Sequence, residues 1–97
     1  MLRNVDFPGG IMAVENAAAR VKKVLVDELN LNIAADSIAD DDLVYAPHIR
    51  LDSLGYLRLV HGLEQEFGLE IAPEEVGHIL FETVADIIRF VDERCSG

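Results

Sequence analysis

Between Ser53 and Phe67 the apolar residues recur at helical spacing, and this period constrains the fold more than any other feature of the 97-residue chain. On a wheel advancing about 100° per residue, with Tyr56 at zero, Val60, Leu63 and Phe67 fall within about 40° of it. Leu59 lies about 60° away. Those five residues make a core stripe. Leu54, Leu57 and His61 fall on the opposite side, at about 160°, 100° and 140°. Two leucines on the face turned from the core mark a contact patch. Gly68 stops the helix, since glycine tolerates a left-handed cap.

The same period appears twice more. From about Ala13 to Leu29, the residues Val14, Ala18, Val21 and Leu25 step by three and four, with charges between them. Near the end, Val84, Ile87, Ile88 and Val91 form a buried stripe on a helix that starts near Thr83. Thr83 and Asp86 resemble a capping box, with Asp in place of Glu or Gln. Pro73-Glu74-Glu75 reads as the start of a short helix: proline suits the first turn, and acids complement the positive end of the dipole. No strand-like alternation and no repeat is present. The expected fold is all-α, a small bundle of three main helices and one short helix. Residues 1–11 read as a flexible tail, residues 12–94 as the domain, and residues 95–97 as a second tail.

Asn30 to Asp52 reads as a long first loop anchored by Ile33, Ile38, Leu43 and Ile49. A loop this long in so small a domain is unusual and often functional.

Charge narrows the partners. Eighteen acids face eight bases, a net of −10, which disfavours nucleic acid and anionic membranes. Residues 27–75 hold twelve acids against only Arg50 and Arg58. Such a middle segment is either a solvated acidic face or a surface that steers basic protein partners. No apolar run approaches the roughly 20 residues of a membrane span. Met1 to Gly10 lacks the apolar stretch of a signal peptide, so a cytoplasmic protein is expected. The lone Cys95 reads as a free thiol, and with three His it gives no zinc cage.

Chemistry concentrates at Leu51-Asp52-Ser53-Leu54, where the acidic loop meets the second helix. Alone, a serine there reads as a helix N-cap, and Asp52 can equally be the cap. In context the segment resembles the acyl carrier proteins. The resemblance runs from about Val14 to Val91. It is strongest in Asp52-Ser53-Leu54, then Leu59-Val60, then Leu63-Glu64-Gln65-Glu66-Phe67-Gly68-Leu69-Glu70-Ile71. Pro73-Glu74-Glu75 and Thr83-Val84 fall in register with it.

This resemblance implies that Ser53 takes 4'-phosphopantetheine through a phosphodiester. A separate phosphopantetheinyl transferase would install the arm from coenzyme A with magnesium. The arm's thiol would carry acyl or aminoacyl groups as thioesters. The positive end of the helix dipole beside Ser53 would accommodate the arm's phosphate. Asp52 would serve the transferase or shape the start of the helix. Leu54, beside the serine, and Leu57, with Arg58, His61 and Glu64, would dock partners. These are acyl-loading, condensing and acyl-transfer enzymes. Leu59, Val60, Leu63 and Phe67 would form a core that opens to shelter a chain. The protein would be a non-enzymatic, free-standing monomer of a fatty-acid, polyketide or specialised lipid or peptide pathway.

Two departures stand out. The family often has glycine where this chain has Arg50, so a side chain there would alter the loop turn or touch the arm's phosphate. Fatty-acid carriers place acids in the first two turns of the second helix, where Gly55, Arg58 and His61 stand here. That difference points to a dedicated carrier of a specialised pathway.

Other readings fare worse. A Ser53–His61–Asp triad fails because eight helical residues span about 12 Å, beyond hydrogen-bond contact. Asp36, Asp40, Asp41 and Asp42 lack the spacing, glycine and terminal glutamate of a calcium loop. A carrier-like module that is never modified remains the main alternative.

Overall fold

The structure, a computed structural model, describes residues 16–96. Within them the chain forms α1 (Ala17–Leu29), α2 (Ser53–Phe67), α3 (Pro73–Val76) and α4 (Val84–Ser96). The all-α bundle expected from periodicity is the fold. Val14 and the 1–11 tail lie outside the described residues. The last helix runs to Ser96, past the boundary drawn after residue 94, and Cys95 is an exposed free thiol on it.

Each boundary has a local cause. Asn30 ends α1 in the left-handed conformation, its N–H bonded to the Val26 carbonyl. Gly68 does the same for α2, at φ 67°, with its N–H on the Glu64 carbonyl. Pro73 opens α3, and the Glu75 carboxylate reaches back to accept from the Ala72 N–H at 3.1 Å. At α4, the Asp86 N–H donates to Thr83 Oγ1 at 3.3 Å and the Asp86 carboxylate accepts from the Thr83 N–H at 3.1 Å, completing the reciprocal cap.

The core gathers Val21, Leu25, Leu59, Leu63, Val84, Ile87 and Val91, all fully buried, from α1, α2 and α4. Burying each of the larger ones contributes about 1.5–3 kcal/mol. Tyr56 and Phe67 pack on its margin, half-buried. On α1 the buried stripe also takes Ala17 and Val24, while Ala18 is only half-buried.

The long first loop is fastened at both ends rather than free. A single 3-10 turn, Ala35–Ser37, leads into buried Ile38. Further on, an isolated bridge pairs Leu43 with Thr83. There the Val44 N–H donates to the Glu82 carbonyl at 2.9 Å and the Val84 N–H to the Asp42 carbonyl at 3.0 Å. One expected anchor is corrected. Leu43 is exposed, and Val44 is buried in its place, because an extended bridge residue and its neighbour point to opposite sides. Ile49 and Leu51 are buried as the loop returns to α2.

Candidate functional site

Ser53 is the first residue of α2, and its side chain is exposed. Asp52 is the N-cap: its Oδ1 accepts from the Gly55 N–H at 2.7 Å. The cap therefore falls to the aspartate and leaves the serine hydroxyl free for other chemistry. Leu51, buried just before it, pins the loop, and its N–H donates to the Val44 carbonyl at 2.9 Å.

Arg50 occupies a left-handed backbone conformation, φ 55°. Glycine adopts that region without steric penalty, whereas a side chain there costs about 1–2 kcal/mol. The turn survives the arginine, and the guanidinium lies exposed beside the start of α2.

Two clefts flank this helix start. One, of about 570 Å³, is lined by Ser53, Tyr56, Leu57, Ile79, Leu80 and Phe81, with Asp52 at its rim. Its wall is apolar, and Leu80 stands 83% exposed. The Tyr56 hydroxyl lies within hydrogen-bond distance of the Val76 carbonyl at 2.7 Å and the Ile79 carbonyl at 2.9 Å, so it fastens the α3 segment to α2. Partial burial raises the Tyr56 phenol above its usual value, with the Tyr45 phenol adding to the rise. The other cleft, of about 430 Å³, is lined by His48, Arg50, Asp52, Leu54 and Arg58, with Asn30 and Asn32 from the end of α1 and the loop after it.

The side chains expected to dock partners share one surface in part. Leu54, Leu57, Arg58 and His61 are exposed on the outer face of α2, with Leu54 59% and Leu57 55% exposed. Glu64 is turned differently: half-buried, its Oε2 accepts from the Ile71 N–H at 3.0 Å and so braces the turn after α2.

Gly55 is not on that outer face. It is buried against α1, where a Cβ would lie 2.8 Å from Leu29 Cδ2 and 3.1 Å from Asp52 Oδ1. Gly62, two turns on, faces the same way, with a would-be Cβ 2.6 Å from Glu28 Cγ and 2.8 Å from Val24 Cγ1. These two glycines bring α1 and α2 close together and hold the serine-bearing end of α2. Their spacing of seven residues was the available signal.

No group of three or more metal-ligating side chains occurs among the described residues, and no helix there is long and apolar enough to cross a membrane. Asp42, from the acidic loop, accepts from the Ala39 N–H at 2.9 Å and pairs with His48 at the same distance. The backbone bond, then the imidazole, holds its carboxyl below the usual range.

The Phosphopantetheine attachment site family matches residues 19–91. The chain belongs to the acyl carrier protein family. It is 30% identical over 79 residues to the acyl carrier protein of Solidesulfovibrio magneticus, covering 81% of this chain and 95% of that one. A solution structure from Anaplasma phagocytophilum, itself assigned to the acyl carrier proteins, superimposes with a TM-score of 0.64 at 30% identity, covering 92% of this chain and 98% of that one. Acyl carrier proteins are carriers rather than enzymes. Their cofactor is covalent 4'-phosphopantetheine, and they meet a phosphopantetheinyl transferase and acyl-handling enzymes. The residues present fit that group: Ser53 is exposed at the start of α2, and the cap is made by Asp52 rather than by its hydroxyl.

Proposed function

We propose that Ser53 is the attachment point of 4'-phosphopantetheine, and that the chain presents acyl or aminoacyl intermediates to the enzymes of a specialised pathway. The observation that carries this reading is the division of labour at the head of α2. Asp52 caps the helix, so the adjacent Ser53 hydroxyl is exposed and aimed by a fixed backbone. When bound, the arm supplies a terminal thiol that holds cargo as a thioester. The protein's own residues anchor the arm and give it surroundings. Ser53 holds the phosphodiester, and Leu54 beside it starts the partner-facing surface that continues through Leu57, Arg58 and His61. The apolar cleft of Tyr56, Leu57, Ile79, Leu80 and Phe81 opens next to Ser53, and its chemistry suits a hydrocarbon or similar apolar cargo. Glu64 contributes by holding the turn after α2 rather than by meeting partners directly.

A dedicated pathway is favoured by the outer face of α2, which carries Arg58 and His61 where fatty-acid carriers place acids. The protein acts as a monomer in the cytoplasm, where coenzyme A is available to the transferase.

Intact-mass measurement tests the reading. The protein is incubated with coenzyme A, magnesium and a broad-specificity phosphopantetheinyl transferase, beside a Ser53→Ala variant. The expected result is one added phosphopantetheinyl group, absent from the variant. Addition that persists in Ser53→Ala would reassign the site. No addition to folded wild type, with a known carrier modified in parallel, would favour an unmodified interaction module.

A further inference from the structure

The lysines and arginines among the described residues divide into two groups. Arg20 pairs with Glu66, Lys22 with Asp40, Lys23 with Asp27, Arg89 with Asp86, and Arg94 with Glu75. Arg50 and Arg58 make no such pair among the described residues. Both are exposed, and both line the cleft beside the start of α2. They are the only two bases in residues 27–75, a segment with twelve acids. Local neutralisation by a neighbouring acid is the common outcome in so acidic a chain, and these two guanidiniums escape it.

The acids within α2, Glu64 and Glu66, are meanwhile engaged elsewhere. Glu64 is bonded to the Ile71 N–H, and Glu66 is held by Arg20. Asp52, the cap before α2, does line the cleft, with one carboxylate oxygen engaged by the Gly55 N–H and no ion pair to either arginine. The outward stripe of α2 therefore reads Leu54, Leu57, Arg58, His61 and Gln65, apolar and basic on a chain of net charge −10. Long helical side chains lean toward the helix N-terminus, which brings Arg58 over the turn that holds Leu54. Arg50 lines the same cleft.

We propose that this face docks an acidic partner: a protein surface that presents carboxylates to Arg50 and Arg58 around an apolar hollow receiving Leu54 and Leu57. The proposal rests on the carrier reading and specifies the partner for it. It inverts the expectation drawn from net charge, which favours basic partners. The inversion is physically consistent. At about 0.15 M salt the screening length is about 8 Å, so the pairs in contact decide the outcome and the distant acids do not. Guanidiniums match carboxylates in two-point geometry, so the contact also fixes orientation. A partner with a basic face meets two uncompensated arginines and is rejected, which gives selectivity among carriers.

The probe is a phosphopantetheinyl transferase whose carrier-binding face is lined by arginine and lysine, together with a version in which those residues are reversed to glutamate. Specificity constants at about 0.15 M salt are compared for wild type, for Arg50→Glu with Arg58→Glu, and for Lys23→Glu with Arg89→Glu, which changes net charge equally off this face. Wild type is expected to favour the glutamate-faced transferase by about tenfold. The Arg50/Arg58 variant reverses that preference, and the Lys23/Arg89 control keeps it. Arg58→Glu alone, on exposed helix surface, shifts the preference in the same direction by less. Circular dichroism confirms that each variant is folded. A wild type that favours the basic-faced transferase, or a preference untouched by Arg50→Glu with Arg58→Glu, would overturn the proposal. Mass at Ser53 after exhaustive treatment with a broad-specificity transferase is read separately. If Ser53 takes no group even then, the carrier reading fails and the docking proposal falls with it.

Discussion

On the side of α2 that meets α1, the contact is close and apolar, set by two glycines with no room for a methyl group. On the side that meets α3 lies a cleft of about 570 Å³. Across the cleft the tether is the Tyr56 hydroxyl; beyond it the Glu64–Ile71 bond braces the turn after α2, and the Glu75–Arg94 ion pair ties α3 to α4. α3 itself is four residues long and buries none of them fully. One flank thus fixes the direction of Ser53, while the other, held by fewer buried apolar contacts, is expected to open more readily. Regions held by few buried apolar contacts open first.

The largest expected effect breaks the tight flank. Gly62→Ala places a methyl against Val24 and Glu28, and overpacking of this kind costs about 1–3 kcal/mol. Chemical denaturation measures it, and an unchanged midpoint would mean that α1 shifts freely. Tyr56→Phe attacks the other flank. Losing the hydroxyl leaves the Val76 and Ile79 carbonyls without that donor, at about 1–2 kcal/mol. Hydrogen exchange is expected to rise at residues 76–81 and to stay unchanged across α1. Uniform loss of protection would erase the distinction between the flanks.

Asp86 gives a smaller, pH-dependent effect on the α4 start beneath the loop. The Glu82 N–H, then the Thr83 N–H, holds its carboxyl below the ordinary value of 3.8. A lowered folded-state value means that the unfolded chain takes up the proton first as pH falls. The stabilisation is therefore complete above the unfolded value and is lost as pH drops through the folded one. Asp86→Ala should cost about 1 kcal/mol at pH 7 through the lost cap. The difference from wild type should shrink below about pH 4. A difference independent of pH would show that packing, not the carboxylate, carries the effect.

The smallest effect has the opposite sign. Arg50→Gly relieves the left-handed strain of about 1–2 kcal/mol but adds about 0.5–1 kcal/mol of glycine chain entropy. A slight rise in melting temperature is expected, and a fall would mean that the arginine side chain stabilises the turn.

Much of this was legible in the chain, for identifiable reasons. α2 was readable at both ends because its period, its Asp52-Ser53 start and Gly68 agree. The Thr83–Asp86 cap was readable because it is local. Val44 was not, because a bridge to Thr83 forty residues away decides which neighbour turns inward. By position Gly55 stands where fatty-acid carriers place acids, and its burial against Leu29 of α1 needed coordinates. Arg50 was conspicuous as a residue, while its positive φ and unpaired guanidinium needed coordinates. Glu64 counted as a docking acid by position, and the turn that claims its carboxylate lies seven residues on.

The most direct test of the account loads Ser53 with an acylated arm and compares amide spectra of the acylated and unacylated carrier. The account predicts shifts at Tyr56, Leu57, Val76, Ile79, Leu80 and Phe81, with α1 and the buried face of α2 unmoved. Shifts centred on the α1–α2 contact, with the α3 flank silent, would contradict it.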